Sequence, residues 1–173
     1  MKIRNKVALH TSIWLLIILV FVNVFVGIQF IRLTVKNQAG TLLERAQTIK
    51  EDLGTAVLLE KNQEQAIRKY LPSEGLIRIL DSRGEIRNQL YEDMDLLQVP
   101  PKFDISPGYV LQRFDSPKDK SNLFGQKLVL VVSSPLYAGT LLVGSIEIAV
   151  RQSDLEQSLA ILIYVLLLST VGA

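Results

Sequence analysis

The chain has no cysteine among its 173 residues. Disulfide staples, thiolate metal sites and cysteine nucleophiles are therefore excluded, while the redox compartment stays open. Histidine is almost as scarce. The one present, His10, has no partner at ligand spacing, which argues against an imidazole metal centre. It also has no acidic neighbour and lies beside an apolar run, so it is a poor phosphoacceptor. No glycine-rich phosphate loop occurs. Charge of one sign is lacking too: 19 Lys and Arg stand against 17 Asp and Glu, a net charge of +2. The isoelectric point near 8.9 arises from Lys2, Arg4 and Lys6 alone, because residues 32–158 carry 16 basic and 17 acidic side chains. No basic face remains to hold a phosphate backbone, and nucleic acid is not an expected partner.

What is abundant is apolar sequence, and it is concentrated. Ser12–Ile31 holds 16 hydrophobic residues in 20, and Leu159–Ala173 holds 12 in 15. The other positions are about 41% hydrophobic, an ordinary soluble composition. Twenty helical residues reach about 30 Å, the thickness of a bilayer core. Residues 12–31 contain no charge, and the run is longer than a signal-peptide core and lacks a small-x-small cleavage site. They are expected to form an uncleaved transmembrane helix. The three cations ahead of it orient residues 1–11 to the cytoplasm.

The second run is only 15 residues long where the sequence stops, about 22 Å of helix. Residues 159–173 are expected to start a second, truncated transmembrane helix that returns to the cytoplasm. A C-terminal core helix is the competing reading, but this run is apolar on every side rather than on one. Residues 32–158 would then form a domain outside the cytoplasm, tethered at both ends.

Within that domain the helical period continues past the membrane. Val35, Ala39, Leu42, Ala46, Ile49, Leu53 and Ala56 alternate spacings of four and three, a seam of three heptads. The seam can pack on the sheet of its own protomer or pair with the same helix of a second chain. A bend is possible near Gly54. A second helical stretch, Asn62–Tyr70, stops where Pro72 follows Leu71. From Gly75 the period becomes two. Residues 76–80, 81–84 and 85–87 read as strand, tight turn and strand, with Gly84 supplying the left-handed turn position. Residues 91–108, with three prolines, read as an irregular connection. Tyr109–Phe114 is a short strand, Asp115–Gly125 a polar loop, and Lys127–Ser134 and Thr140–Arg151 are the strongest strands. Helices across 32–71 followed by about five strands across 75–151 predict an α+β domain with an antiparallel sheet.

Few residues suggest chemistry, and no catalytic, metal or cofactor site is expected. Glu92, Asp93 and Asp95 could hold a divalent cation through oxygen ligands, or simply form a solvated loop. Asn23, the strongest hydrogen-bonding group in the first span, shares a face with Gly27 and could contact a neighbouring helix. Together with Val35, Leu42, Ile49 and Leu53 it is a candidate for dimer contact and signal transfer. Arg78, Tyr109 and Arg113 on the predicted strands are candidate ligand contacts, with water-facing strand positions as the competing reading. Ser153-Asp154-Leu155-Glu156 is a capping-box pattern opening directly onto the second apolar run. With Arg151 closing the last strand, Ser153 and Glu156 would leave almost no slack between sheet and membrane.

These pieces resemble a known family. Lys2-Ile3-Arg4-Asn5-Lys6, then His10-Thr11-Ser12-Ile13-Trp14-Leu15-Leu16, then Asn23 and Phe30, look like the first membrane helix of bacterial two-component sensor histidine kinases. The segment from Tyr70 through Pro72 and Gly75 to Asp81 resembles the entry to their PAS-like, single-Cache sensor domains, and Gly144-Ser145-Ile146-Glu147-Ile148-Ala149 is similar to the strand that leads into their second span. The resemblance implies a homodimeric, multi-pass protein of the bacterial cell membrane that responds to an unidentified extracytoplasmic ligand or stimulus. It also implies a HAMP linker, a phosphorylated histidine and an ATP- and Mg-binding kinase core beyond this sequence, with a response regulator as partner. Chemoreceptors and membrane diguanylate cyclases share the same front end, and a non-signalling membrane scaffold would share the topology.

Overall fold

The structure, a computed structural model, describes residues 2–54, 64–102, 106–115 and 126–171. Ala56 of the heptad seam, the expected start of the short helix at Asn62, most of the loop across 115–125 and the last two residues lie outside the described residues. The chain divides into two compact units, Met1–Thr34 with Asp154–Ala173, and Val35–Ser153.

Helix α1 spans Lys2–Leu53, 52 residues without a break, or about 78 Å. The apolar run and the heptad seam are thus parts of one helix. Gly54 ends it: at φ 55° it takes the left-handed position that glycine tolerates, and its N–H donates to Lys50 O at 2.8 Å. The stretch of helix from His10 onward includes a segment long and apolar enough to cross a membrane. Trp14, Phe21, Phe25 and Phe30 are all exposed along it. The other part of this unit is a 19-residue helix at the C-terminal end, Ser153–Val171.

The second unit is built on a five-stranded antiparallel sheet. Its strands are β1 (Gly75–Asp81), β2 (Ile86–Tyr91), β3 (Gly108–Asp115), β4 (Gln126–Ala138) and β5 (Leu141–Arg151), in the order β2-β1-β5-β4-β3. The first and last strands are therefore central neighbours. A short helix α2 (Glu64–Arg68) precedes the sheet, and the C-terminal helix above is α3. Two details differ from the sequence expectation. β2 runs on to Tyr91, and β4 continues through Pro135 to Ala138. Proline is tolerated there because β4 pairs with β3 only as far as Ser133, opposite Gly108, so no ladder partner on that side needs a proline N–H.

Cross-strand register sorts the side chains between two faces. Ile77, Ile79, Ile146, Ile148, Leu128, Leu130 and Val132 share one face, and all are buried. The seam residues Val35, Ala39, Leu42, Ala46 and Ile49 are also buried within the single chain. The Lys50 ammonium lies 5.7 Å from the Tyr137 ring centroid, which brings the C-terminal part of α1 to the end of β4. Tyr70 donates to the Asp52 carboxylate, Lys69 donates to it at 3.1 Å, and Arg45 donates to Tyr70 O at 3.4 Å. These contacts tie the end of α1 to the segment after α2.

The opposite face carries Leu76, Val129, Val131 and Ala149. A 3-10 helix over Met94–Gln98 covers it, placing Leu96 and Val99 in the same core cluster. A single-turn helix was not expected in the proline-punctuated connection. Asp93 makes it possible, accepting from the Asp95 N–H at 2.9 Å as N-cap.

Close packing at the sheet entrance gives a direct test. A Cβ on Gly75 would collide with the Pro72 ring and lie 2.8 Å from its carbonyl oxygen. Gly75→Ala should lower stability by about 1–3 kcal/mol, the cost of overpacking a filled site, measured by denaturant titration of the detergent-solubilised chain with circular dichroism.

Candidate functional site

The most unusual chemistry of the second unit lies in the interior of its sheet. Arg78 on β1 and Glu147 on β5 are directly opposite in register. Their side chains are 1% and 0% exposed, and Arg78 Nη1 donates to Glu147 Oε1 at 2.9 Å. Each sits alone among aliphatic neighbours, in Leu76-Ile77-Arg78-Ile79-Leu80 and in Ile146-Glu147-Ile148. Alternation puts both on the face that the 3-10 helix covers.

The covering segment meets this pair with its backbone. Arg78 Nη2 donates to Leu96 O at 3.3 Å and to Leu97 O at 3.2 Å, and the Lys102 N–H donates to Glu147 Oε2. Lys127 on β4 adds a second buried pair, donating to Asp95 Oδ2 at 2.9 Å. Segment 94–102 is thus held by polar contacts to β1, β5 and β4. Burial pushes the Glu147 carboxyl above the ordinary glutamate range, against the opposing pull of the Lys102 amide and the Arg78 guanidinium. Three buried polar atoms on the same face of the sheet, Arg78 Nε, Ser133 Oγ and Ser145 Oγ, have no hydrogen-bond partner. Ser133 lies directly across from Glu147, and Ser145 two residues before it.

The three candidate ligand residues are not brought together. Arg78 is internal. Tyr109 and Arg113 are exposed on β3, at the far edge of the sheet, and point to the opposite face. The acidic run is occupied by protein partners: Glu92 accepts from the Glu74 N–H at 3.3 Å, Asp93 caps the 3-10 helix and Asp95 pairs with Lys127. No cluster of metal-ligating side chains occurs among the described residues. His10 is paired as well, accepting from the Trp14 indole N–H at 3.1 Å.

On α1, Gly27 is buried whereas Asn23 is exposed. Val35, Leu42 and Ile49 are buried, and Leu53 is the final helical residue. At the other end of the domain, Arg151 closes β5 and Ser153 opens α3, with only Gln152 between them. The Arg151 N–H donates to Glu74 O at 3.3 Å and the Gln152 N–H to Leu128 O at 2.8 Å. The connecting residue is therefore itself bonded to the sheet. Ser153 is exposed and Glu156 half-buried.

Asp81, at the β1–β2 turn, is a further organising carboxylate. It accepts from the Arg83 N–H at 2.8 Å, the Glu85 N–H at 3.0 Å and the Arg87 guanidinium at 2.9 Å. Gly84, at φ 81°, supplies the left-handed corner. The Glu85 amide above all, then Arg83 and Arg87, hold the Asp81 carboxyl below its ordinary value.

Two tests follow from this geometry. Arg78→Met leaves a buried carboxylate without its counter-charge and should cost about 3–5 kcal/mol, whereas Arg78→Met combined with Glu147→Leu should cost less than that single change. Denaturant titration in detergent measures both. The folded-state value of Asp81 is depressed, so its stabilisation is present above the ordinary aspartate range and is lost as pH falls through the folded value. Asp81→Asn should therefore lower Tm at neutral pH, and the gap from the unsubstituted chain should close on acidification, as read from thermal melts at stepped pH.

No protein-family model matches the chain, and no solved structure matches it. Among curated proteins, it is 24% identical over 172 residues to the sensor histidine kinase YkoH of Bacillus subtilis (strain 168). That match takes in 99% of this chain and 36% of the relative, so the chain spans about a third of the length of the protein it resembles. The distant likeness hints at a sensor role, and among the described residues there is one helix long and apolar enough to cross a membrane, and a small antiparallel sheet.

Proposed function

We propose that the chain is the membrane-anchored input region of a sensor histidine kinase, with a PAS-like, single-Cache sheet outside the cytoplasm. The observation that carries this reading is the match along nearly the whole chain to a sensor histidine kinase. In it, residues 12–31 of α1 are the first span with the N-terminus in the cytoplasm, and α3 enters the second. The kinase core, with its ATP, Mg and response regulator, belongs to the rest of the protein. The protein sits in the bacterial cell membrane as a homodimer.

The passage from β5 to α3 supports the mechanism. With a single, hydrogen-bonded residue between them, a change in the position of β5 is transmitted to α3 instead of being absorbed by a linker. A stimulus acts by binding two arrangements of the sheet unequally; equal affinity would shift nothing. Val35, Ala39, Leu42, Ala46 and Ile49 are buried within the single chain, so the proposed dimer draws on exposed positions, Asn23 among them.

The test is a chimera in which residues 1–173 precede the cytoplasmic core of a characterised sensor histidine kinase. Inserting Gly-Ser-Gly after Gln152 should change autophosphorylation in membrane vesicles several-fold. An export-dependent reporter fused at Lys61 should be active. Unaltered phosphorylation on insertion, or an inactive reporter, would sink the reading.

A further inference from the structure

We propose that segment Met94–Lys102 is a releasable strap. It leaves the sheet as a unit when the Arg78–Glu147 pair is broken, while the five strands stay formed. This deepens the proposed sensor role by naming the moving part of the domain, and it rests on that reading only for the consequence to α3.

Three observations converge on it. First, the strap is fastened mainly by charge. Arg78 holds the carbonyls of Leu96 and Leu97, Glu147 holds the Lys102 N–H, and Lys127 holds Asp95. Its apolar anchors are few, chiefly Leu96 and Val99. The sheet, by contrast, is closed by continuous ladders of seven or more residue pairs along β1–β5, β3–β4 and β4–β5. Losing one ion pair therefore weakens the strap far more than the ladders.

Second, a buried pair of this kind contributes little that a well-packed apolar pair would not, yet removing one partner is severe. That asymmetry suits a latch, which must hold firmly when complete and let go when one half is altered. Third, the face beneath the strap already has hydrogen-bonding capacity to spare. Arg78 Nε, Ser133 Oγ and Ser145 Oγ are buried without partners. When the strap lifts, water reaches all three groups together with the freed ends of the ion pair, and this offsets part of the cost of opening. Ile77, Ile79, Ile146 and Ile148, on the opposite face, carry no polar side-chain atom for water to reach.

Absence of cysteine makes the test clean, since any introduced thiol is the sole one in the chain. Leu96→Cys reports on the strap. Ile148→Cys, adjacent to Glu147 but on the other face of β5, reports on the sheet. Both are placed in the 173-residue chain in lipid nanodiscs, with and without Glu147→Gln, and labelled with a maleimide under native conditions. Glu147→Gln should accelerate labelling at position 96 by at least about tenfold, the scale of one lost charge-assisted hydrogen bond, and leave position 148 within about twofold. Equal acceleration at both positions means that the whole domain opens and overturns the proposal, as does no acceleration at position 96. Should Glu147→Gln fail to fold, Lys127→Met breaks the second fastening and is judged by the same ratio. The chimera carrying Glu147→Gln is a separate readout: labelling decides the strap even where the chimera gives no output.

Discussion

A guanidinium, a permanent cation, held at 1% exposure inside a small sheet dictates much of what surrounds it. It requires a counter-charge, supplied by Glu147 on the neighbouring strand. Its Nη2 finds acceptors in the carbonyls of Leu96 and Leu97, while Nε is left without one. A helical turn that offers two carbonyls to one side chain must lie flat on the sheet, and Asp93 caps that turn so that it can. The free oxygen of Glu147 in turn fixes where the chain goes next, at the Lys102 amide. One buried charge thus accounts for the course of residues 94–102.

The two faces of the sheet answer to different physics. One carries the buried aliphatics Ile77, Ile79, Ile146, Ile148, Leu128, Leu130 and Val132, with Ser134 and, on β3, Tyr109 and Arg113 on the same side. Such packing is close and non-directional. The other face is held by ion pairs and hydrogen bonds with fixed partners, where a small displacement loses an interaction outright. The directional contacts of the sheet are thus concentrated on a single side.

Much of the architecture was legible in the sequence because periodicity and turn chemistry are local. The 3-4 spacing from Val35 to Leu53 marked the long helix, Gly84 marked the first hairpin, and the Val- and Ile-rich runs marked β4 and β5. What stayed illegible was pairing. Arg78 was visible as a charge in an apolar strand and Glu147 as another, but their partnership across 69 residues follows from β1 and β5 being neighbours. Read singly, each looks like a water-facing strand position. A charge flanked by aliphatics on both sides in a central strand was the available signal, and finding two of opposite sign was the clue to join them. The acidic run was similarly ambiguous, since a cap, an ion pair and a cation site begin from the same carboxylates. Tyr109 and Arg113 share a strand with each other but neither a face nor a neighbour with Arg78.

The adjacency of β1 and β5 has one more consequence. Glu74, just before the sheet begins, accepts a hydrogen bond from Arg151, where the sheet ends. The whole of residues 75–151 is therefore a closed excursion from one point in space back to nearly the same point. Segments with such neighbouring ends can be exchanged, lengthened or replaced without changing the spacing of what flanks them. The sheet is portable, a cassette whose contents can diverge while its two ends stay joined.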